Sequence, residues 1–189
     1  LSASLTAFTC ADLGANNVTL TVDDGNGNTS NCVSVVTIID TISPSAVCQN
    51  INAYLDGAGN TTIVAADIDG GSTDNCGTVN LSASLTAFTC ADLGANNVIL
   101  TVDDGNGNTS NCLAVVTIID TISPTAVCQN INAYLDGAGN ATIVASDIDG
   151  GSTDNCGTAN LSASLTAFTC ADLGVNNVTL AVDDGNGNT

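Results

Sequence analysis

Aspartate and cysteine are the abundant side chains of this sequence that can bind metal ions or form cross-links. The chain contains 19 acidic residues, all of them Asp, and 9 Cys, but no Lys, Arg, His or Glu. Because no cationic side chain is present, each Asp must be solvated, accept hydrogen bonds in a turn, or bind a cation. The formal charge of −19 makes a divalent cation the first ligand class to consider.

Three acidic groups are candidate Ca²⁺ sites, because Ca²⁺ prefers oxygen ligands in flexible loops. The first lies in a Gly-rich loop, the second in a turn of sequence DDGNGN, and the third at a predicted domain junction. Their ligands are Asp67, Asp69 and Asp74; Asp103, Asp104 and Asn106; and Asp40 with Asp120. The first loop is not an EF-hand, since Thr78 stands at loop position 12. The alternative is that these residues only make turns.

The composition argues against several functional classes. A chain without Lys or Arg cannot neutralise phosphates, so neither nucleic acid nor an anionic membrane surface is expected as a partner. The acid–base groups His, Lys and Glu are missing, and a Cys or Ser nucleophile would have no His partner. No Asp-Thr-Gly or Asp-Ser-Gly sequence is present either. We therefore predict that the chain is not an enzyme.

The cysteines predict disulfides and an oxidising, extracellular setting. Zinc is the competing interpretation, but the sequence contains neither His nor a Cys-x-x-Cys pair. Regularly spaced Cys in an acidic chain rich in Gly and Asn are typical of secreted proteins. No signal peptide or transmembrane run is visible, and we expect targeting segments to lie outside this sequence.

The sequence repeats with a period of 80 residues. The segment LSASLTAFTCADLG begins at Leu1, Leu81 and Leu161. Residues 1–80 and 81–160 differ at seven positions: Thr19/Ile99, Val33/Leu113, Ser34/Ala114, Ser45/Thr125, Thr61/Ala141, Ala66/Ser146 and Val79/Ala159. Such a period indicates an array of domain-sized units, which suits length, spacing or multivalency better than a single active site.

Two-residue alternation predicts strands within each repeat. Val98, Leu100 and Val102 share one face, and the substitutions Thr19/Ile99 and Thr101/Ala181 fall on the other. Strands are predicted near 46–55, 61–66, 80–88, 97–103 and 111–119, with turns at 56–60 and 104–108. Residues 91–94 form one helical turn at most. Six or seven short strands per repeat predict an all-β array of small immunoglobulin-like sandwiches.

The predicted domain boundary lies at the segment 40–44, where Pro44 favours an extended, stiff link. Residues 1–40 are then the C-terminal half of one repeat, and residues 41–120 form a complete repeat. Residues 121–189 are a third repeat that ends before its last strand. Neighbouring repeats of the same chain are the expected partners, with lateral copies as a further possibility.

Several short motifs mark the repeat: Asp40-x-x-x-Pro44, Cys48-Gln49-Asn50, Asp74-Asn75-Cys76-Gly77, Val102-x-Asp104-Gly105-Asn106-Gly107-Asn108, Cys112 and a terminal Val-x-Ile-x-Asp120. With these motifs, the repeat resembles the hyalin-repeat (HYR) domains that occur as tandem arrays in large bacterial surface proteins and adhesins. The resemblance covers all 80 residues and implies an immunoglobulin-like fold in adhesion or cell-surface architecture. It implies no particular ligand.

Four cysteines in the complete repeat allow three pairings. We expect Cys48–Cys112, because the first and last strands lie side by side in such sandwiches and because the resemblance implies this pair. We also expect Cys76–Cys90, which would close the loops around strand 80–88, and the equivalent pair Cys156–Cys170. Cys10, Cys32 and Cys128 are then expected to have no partner within the 189 residues.

The sequence therefore predicts a structural stalk or filament at or shed from a bacterial surface. The main alternative is a multivalent adhesin whose repeats bind glycan or protein directly. A calcium-loaded matrix, or a protein that faces ice or mineral, is a third interpretation. Covalent glycans are a further expectation, because Asp40-Thr41-Ile42 and Asp120-Thr121-Ile122 resemble an O-glycosylation motif of bacterial surface proteins, with Thr41 and Thr121 as acceptors.

Overall fold

The computed structural model describes residues 1–157 and 159–189, and this part of the chain is all-β. It contains thirteen strands: β1 Ser2–Ala3, β2 Gly14–Asp23, β3 Thr29–Ile38, β4 Ile51–Tyr54, β5 Asn60–Thr62, β6 Asn80–Ala83, β7 Ala87–Thr89, β8 Gly94–Asp103, β9 Thr109–Ile119, β10 Asn140–Thr142, β11 Asn160–Ala163, β12 Ala167–Thr169 and β13 Leu180–Asp183. The helical segments among the described residues are 3₁₀ turns of three or four residues. None of them is long and apolar enough to cross a membrane.

The chain divides into two compact units, each built from segments that are distant in the sequence. Unit 1 comprises Leu1–Asn50, Val64–Leu85 and Asn97–Ala114, and unit 2 comprises Ile51–Ile63, Thr86–Asn96 and Val115–Thr189. The long strands β8 and β9 contribute residues to both units. This division does not coincide with boundaries at residues 40 and 120, which stay predictions.

Unit 1 contains the three-stranded sheet β1-β2-β3 and the antiparallel pair β6–β8. In unit 2, β4 pairs in parallel with the end of β9, and Ile51 lies opposite Val116. The first strand after the 40–44 segment therefore lies beside the last strand of the repeat, as expected. The other pairs of unit 2 are antiparallel: β5–β7, β10–β12 and β11–β13. Together with the disulfides, this all-β arrangement is consistent with a β-sandwich.

The DGNGN sequence forms the predicted turn between β8 and β9. Asp104 organises the turn, because its Oδ1 accepts the N–H groups of Asn106 and Asn108 at 2.8 and 3.0 Å. Gly105 and Gly107 adopt φ angles of +77° and +108°, which strain any residue with a side chain. The repeated Asp, Gly and Asn of this segment therefore encode one specific turn.

The strand predicted at 80–88 is wrong, because it is two strands. β6 ends at Ala83 and pairs with β8, whereas β7 begins at Ala87 and pairs with β5. Between them, the Ser84 hydroxyl oxygen accepts the Ile99 N–H at 2.9 Å. The chain changes its pairing partner at this point, and the hydrophobic alternation does not reveal such a change.

The alternation in β8 is confirmed. Val98, Leu100 and Val102 are fully buried, whereas Ile99 between them is 45% exposed. In unit 2 a core cluster contains Ile143, Ile148, Leu180 and Val182, with partly buried apolar side chains, Phe168 among them, packed against it. This cluster thus combines side chains of β13 with apolar residues of the segment that follows β10.

The alternation of burial in β8 predicts unequal effects of truncating neighbouring side chains. Leu100→Ala should lower the free energy of unfolding by about 2–5 kcal/mol, since it removes a buried side chain and leaves a cavity. Ile99→Ala is the matched control, because Ile99 is the neighbouring residue of the same strand but its side chain is 45% exposed. Its cost should be much smaller. Equal losses in denaturant unfolding would contradict this difference in burial.

Candidate cation site and disulfide framework

Three disulfides are present among the described cysteines. The predicted Cys48–Cys112 bond is present, with a Cα–Cα distance of 5.8 Å. The other two are Cys10–Cys76 and Cys90–Cys156, each with a sequence separation of 66 residues. Cys32, Cys128 and Cys170 are exposed free thiols. Three disulfides indicate an oxidising environment of the extracellular kind.

The predicted pairs Cys76–Cys90 and Cys156–Cys170 are wrong, as is the expectation that Cys10 has no partner. The prediction treated Cys76 and Cys90 as the two ends of one strand, but the chain changes sheet between them. Cys90 instead begins a 3₁₀ turn. The Cys90 sulfur lies 3.4 Å from the carbonyl oxygen of Asn155, the residue directly before Cys156. Cys10 has the same relation to Asn75, at 3.4 Å.

Gly59 makes the close approach around Cys90 possible. A Cβ atom at this position would lie 2.8 Å from the Asn155 carbonyl oxygen, and it would also collide with the Cys90 sulfur. The side chain of Asn155 donates a hydrogen bond to the Asp56 carbonyl oxygen at 3.3 Å. The turn at 56–60 and the Asn155-Cys156 segment of the following copy are therefore packed together around the disulfide.

Two groups of three aspartates bring carboxylate oxygens together. In unit 1, oxygens of Asp40, Asp74 and Asp104 all lie within 4.8 Å of one another. In unit 2, Asp120, Asp154 and Asp184 do the same, each exactly one period later in the sequence. We call the first group triad 1 and the second group triad 2.

Each member of triad 1 is held by a different local structure. Asp40 follows β3, and its Oδ1 accepts the Ile42 N–H at 3.0 Å. Asp74 Oδ2 accepts the Cys76 N–H at 2.7 Å, so the carboxylate is fixed beside the disulfide. Asp104 lies in the β8–β9 turn. There the Asn108 side chain joins two members, because it donates to the Asp40 carbonyl oxygen at 3.2 Å and to Asp104 Oδ2 at 2.7 Å.

Triad 2 shows the same bonds and one more. The Asn188 side chain donates to the Asp120 carbonyl oxygen and to Asp184 Oδ2, at 3.3 and 2.6 Å. In addition, the Asn155 side chain donates to Asp120 Oδ1 at 3.2 Å. The carboxylates are thus oriented by neutral donors only, as the composition requires.

Several oxygens of the triads are buried without a hydrogen-bond partner. They are Asp40 Oδ2 and Asp74 Oδ1 in triad 1, and Asp120 Oδ2 and Asp154 Oδ1 in triad 2. Asp40 and Asp120 are only 9% and 5% exposed. A buried carboxylate oxygen that has lost its water and gained no donor is strongly destabilising, so these oxygens require a partner.

Triad 1 combines one carboxylate from each of the three predicted Ca²⁺ groups: Asp74 from the first, Asp104 from the second and Asp40 from the third. In triad 2 only Asp120 was among the predicted ligands. Asp154 and Asp184 are the equivalents of Asp74 and Asp104 one period later.

The remaining candidates form turns. Asp67 accepts the Val64 N–H, Asp69 accepts the Ser72 N–H, and Asp103 accepts the Gly105 N–H. The Asn106 N–H donates to Asp104. The prediction grouped neighbours along the chain, so it did not identify the side chains of Asn108, Asn155 and Asn188 as the donors that orient the triads.

Hydrogen bonds lower the pKa of several aspartates. The Ser72 hydroxyl holds the pKa of Asp69 below its ordinary value of 3.8, with N–H groups of Ser72 and Gly71 adding to the effect against burial. Burial raises the pKa of Asp104, but the Asn108 side chain and nearby N–H groups outweigh it and leave the pKa lowered.

The predicted glycan acceptors Thr41 and Thr121 are both exposed. Each directly follows a triad residue. Their modification stays a prediction.

No protein-family model matches the chain, and no curated protein matches it either.

The disulfide pattern predicts which thiol a single substitution releases. Cys90→Ser should free Cys156 and leave Cys10–Cys76 intact, because each bond joins its own pair of cysteines. Alkylation followed by non-reducing peptide mass spectrometry identifies the released thiol. Alkylation of Cys76 instead of Cys156 would show that the inner pairing within one repeat is the correct one.

The lowered pKa of Asp69 predicts an acid dependence that Ser72 controls. Because the folded-state pKa lies below 3.8, the hydrogen bond stabilises the fold above that pH and ceases to do so as the pH falls through the folded-state pKa. Ser72→Ala should raise the pKa of Asp69 and reduce the loss of stability in acid. Carboxyl-carbon NMR titration measures the shift. Ser34→Ala is the control, since Ala stands at the equivalent position 114. If Ser34→Ala shifted the pKa of Asp69 by the same amount, the assignment of the effect to Ser72 would be refuted.

Proposed function

We propose that the chain is part of an extracellular structural stalk or filament made of tandem immunoglobulin-like repeats. The observation that carries this proposal is the pair of disulfides Cys10–Cys76 and Cys90–Cys156. Each bond starts before a Pro-containing segment, 40–44 or 120–124, and ends after it. With domain boundaries at these segments, each disulfide joins two successive repeats.

A second covalent connection changes the mechanics of a domain junction. Domains linked by a single peptide segment move relative to one another unless their interface is large. A disulfide across the same junction closes a loop of the chain and removes much of that freedom. An array with such bonds at each junction transmits tension through two covalent paths.

The same spacing between bonded cysteines would apply in any array that continues the 80-residue period. A cysteine at the position of Cys10 or Cys90 pairs 66 residues further on, so the same rule gives Cys170 a partner in a following repeat. Cys128 corresponds to Cys48 and takes a partner 64 residues later, in the manner of Cys48–Cys112. On this proposal the free thiols are halves of the same two kinds of bond.

Other properties of the chain agree with a long-lived extracellular role. The chain contains no Lys or Arg and therefore presents no site to trypsin-like proteases. A uniform negative charge opposes association of one array with another in the absence of cations. The resemblance to HYR repeats supports a position at a bacterial surface, in adhesion or matrix. Each sandwich would add on the order of 40 Å to the length.

Electron microscopy of a multi-repeat array tests the stalk. We expect thin, continuous fibres with an axial period on the order of 40 Å that become visibly more flexible after reduction. Separate globules under oxidising conditions would contradict the stalk and favour a soluble multivalent adhesin.

A matched pair of double variants distinguishes junction stiffness from domain stability. Cys90→Ser with Cys156→Ser removes a bond between repeats, and it should increase bending in small-angle X-ray scattering while the strands remain formed. Cys48→Ser with Cys112→Ser removes a bond within a repeat, and it should lower the unfolding temperature without the same increase in bending. More bending in the Cys48/Cys112 variant than in the Cys90/Cys156 variant would exclude the proposed role of the junction disulfide.

A further inference from the structure

We propose that each aspartate triad binds one Ca²⁺ ion, so that the described chain holds two. Triad 1 consists of Asp40, Asp74 and Asp104, and triad 2 of Asp120, Asp154 and Asp184. The site is not one of the three groups visible along the sequence, because it takes one carboxylate from each. The proposal about ion binding does not depend on the stalk.

The spacing of the carboxylates in each triad fits one Ca²⁺ ion. Oxygens bound to one Ca²⁺ ion at 2.3–2.6 Å lie no more than about 5 Å apart. One carboxylate oxygen from each member of a triad lies within 4.8 Å of one oxygen of each other member. They are supplied by three separate segments that the fold brings together, and the positions repeat exactly in the second copy.

Each triad also contains carboxylate oxygens that have no hydrogen-bond partner. Asp40 Oδ2 and Asp120 Oδ2 are buried and accept no hydrogen bond, although the two residues are 9% and 5% exposed. Asp74 Oδ1 and Asp154 Oδ1, from the same two triads, are also buried without a partner. The opposite oxygen of each carboxylate is already held by an N–H group, so the free oxygens are oriented and available.

The negative charge of each triad also favours a bound cation. Three carboxylates at this separation repel one another, and the repulsion is relieved either by a shared proton or by a cation. The sequence contains no Lys, Arg or His that could supply the positive charge. A divalent ion neutralises most of the charge of the triad and coordinates the unpartnered oxygens at the same time.

The chemistry favours Ca²⁺ over Mg²⁺ and over transition metals. All side-chain donors in the triads are oxygens, which excludes the nitrogen and sulfur ligands that zinc and copper prefer. Mg²⁺ dehydrates reluctantly and keeps several waters, whereas Ca²⁺ accepts a larger set of protein oxygens with irregular geometry. Two members of triad 1, Asp40 and Asp104, are buried, so a site with several protein ligands and few waters suits Ca²⁺ better.

The position of the triads gives the ion a structural role at the junction. Asp40 lies at the end of one repeat, whereas Asp74 and Asp104 belong to the next. Asp74 is also two residues from Cys76, whose N–H it accepts at 2.7 Å. An ion in triad 1 would therefore bind the ends of two repeats together beside the Cys10–Cys76 disulfide.

Isothermal titration of the oxidised, calcium-free chain with CaCl₂ at neutral pH tests the proposal directly. We expect two ions per chain and a higher unfolding temperature with Ca²⁺ than with Mg²⁺. Asp40→Asn should remove one ion, or weaken its binding by at least about tenfold, and leave triad 2 intact. Asp120→Asn should do the reverse. Asp67→Asn is the control, because Asp67 only caps a turn, and it should retain both ions.

Stability provides a second readout that a merely structural aspartate would not give. Asp40→Asn removes one of three repelling charges, so it should be more stable than the unmodified chain in chelator and gain less stability from Ca²⁺. Asp74→Asn serves as the second variant if Asp40→Asn does not fold. The absence of calcium binding at neutral pH would overturn the proposal in favour of a shared proton. Unchanged stoichiometry in both variants would also overturn it, and neither result bears on whether the array forms fibres.

Discussion

The absence of any basic side chain is the constraint on which the rest of this structure depends. Every carboxylate must be stabilised without an ion pair, and most accept backbone N–H groups or neutral side chains instead. Asp56, Asp67 and Asp103 each hold a turn or a 3₁₀ segment in this way. The same requirement sets apart the two triads, where buried oxygens have no donor. The absence of positive charge therefore explains both the regular turns and the two triads, where buried oxygens lack a donor.

Covalent bonds take over part of the stabilisation that a larger core would supply. The chain contains only 3 Phe and 2 Tyr and no Trp, so its cores consist mainly of Val, Leu, Ile and Ala. Cys48–Cys112 joins the segment before β4 to β9, and with the proposed boundaries the two bonds with a separation of 66 residues connect neighbouring repeats. One aspartate of each triad, Asp74 or Asp154, lies two residues before a cysteine of these bonds. With the same boundaries, a disulfide and a proposed ion would act on the same junction, one permanently and one reversibly.

Local patterns predicted much of the fold. The alternation of Val98, Leu100 and Val102 identified a buried face, and the DGNGN segment identified the hairpin turn. Predictions that needed partners distant in the sequence were less successful. The break between β6 and β7 was missed because both halves are equally compatible with a strand. The inner disulfide was wrong for a related reason: Cys76 and Cys90 are near in the sequence, but the chain changes its pairing partner between them.

The candidate site shows the same division between local and distant information. Asp40, Asp74, Asp104 and Asp120 were each recognised as possible ligands, but the grouping required three segments about 30 residues apart to meet. By itself, the sequence determined the charge, the repeat, the turns and the buried face of β8, because these depend on residue type and short-range periodicity. Tertiary structure decided which cysteines and which carboxylates meet. It also decided that β6 and β7 are separate strands, because each satisfies its backbone hydrogen bonds with a different partner strand.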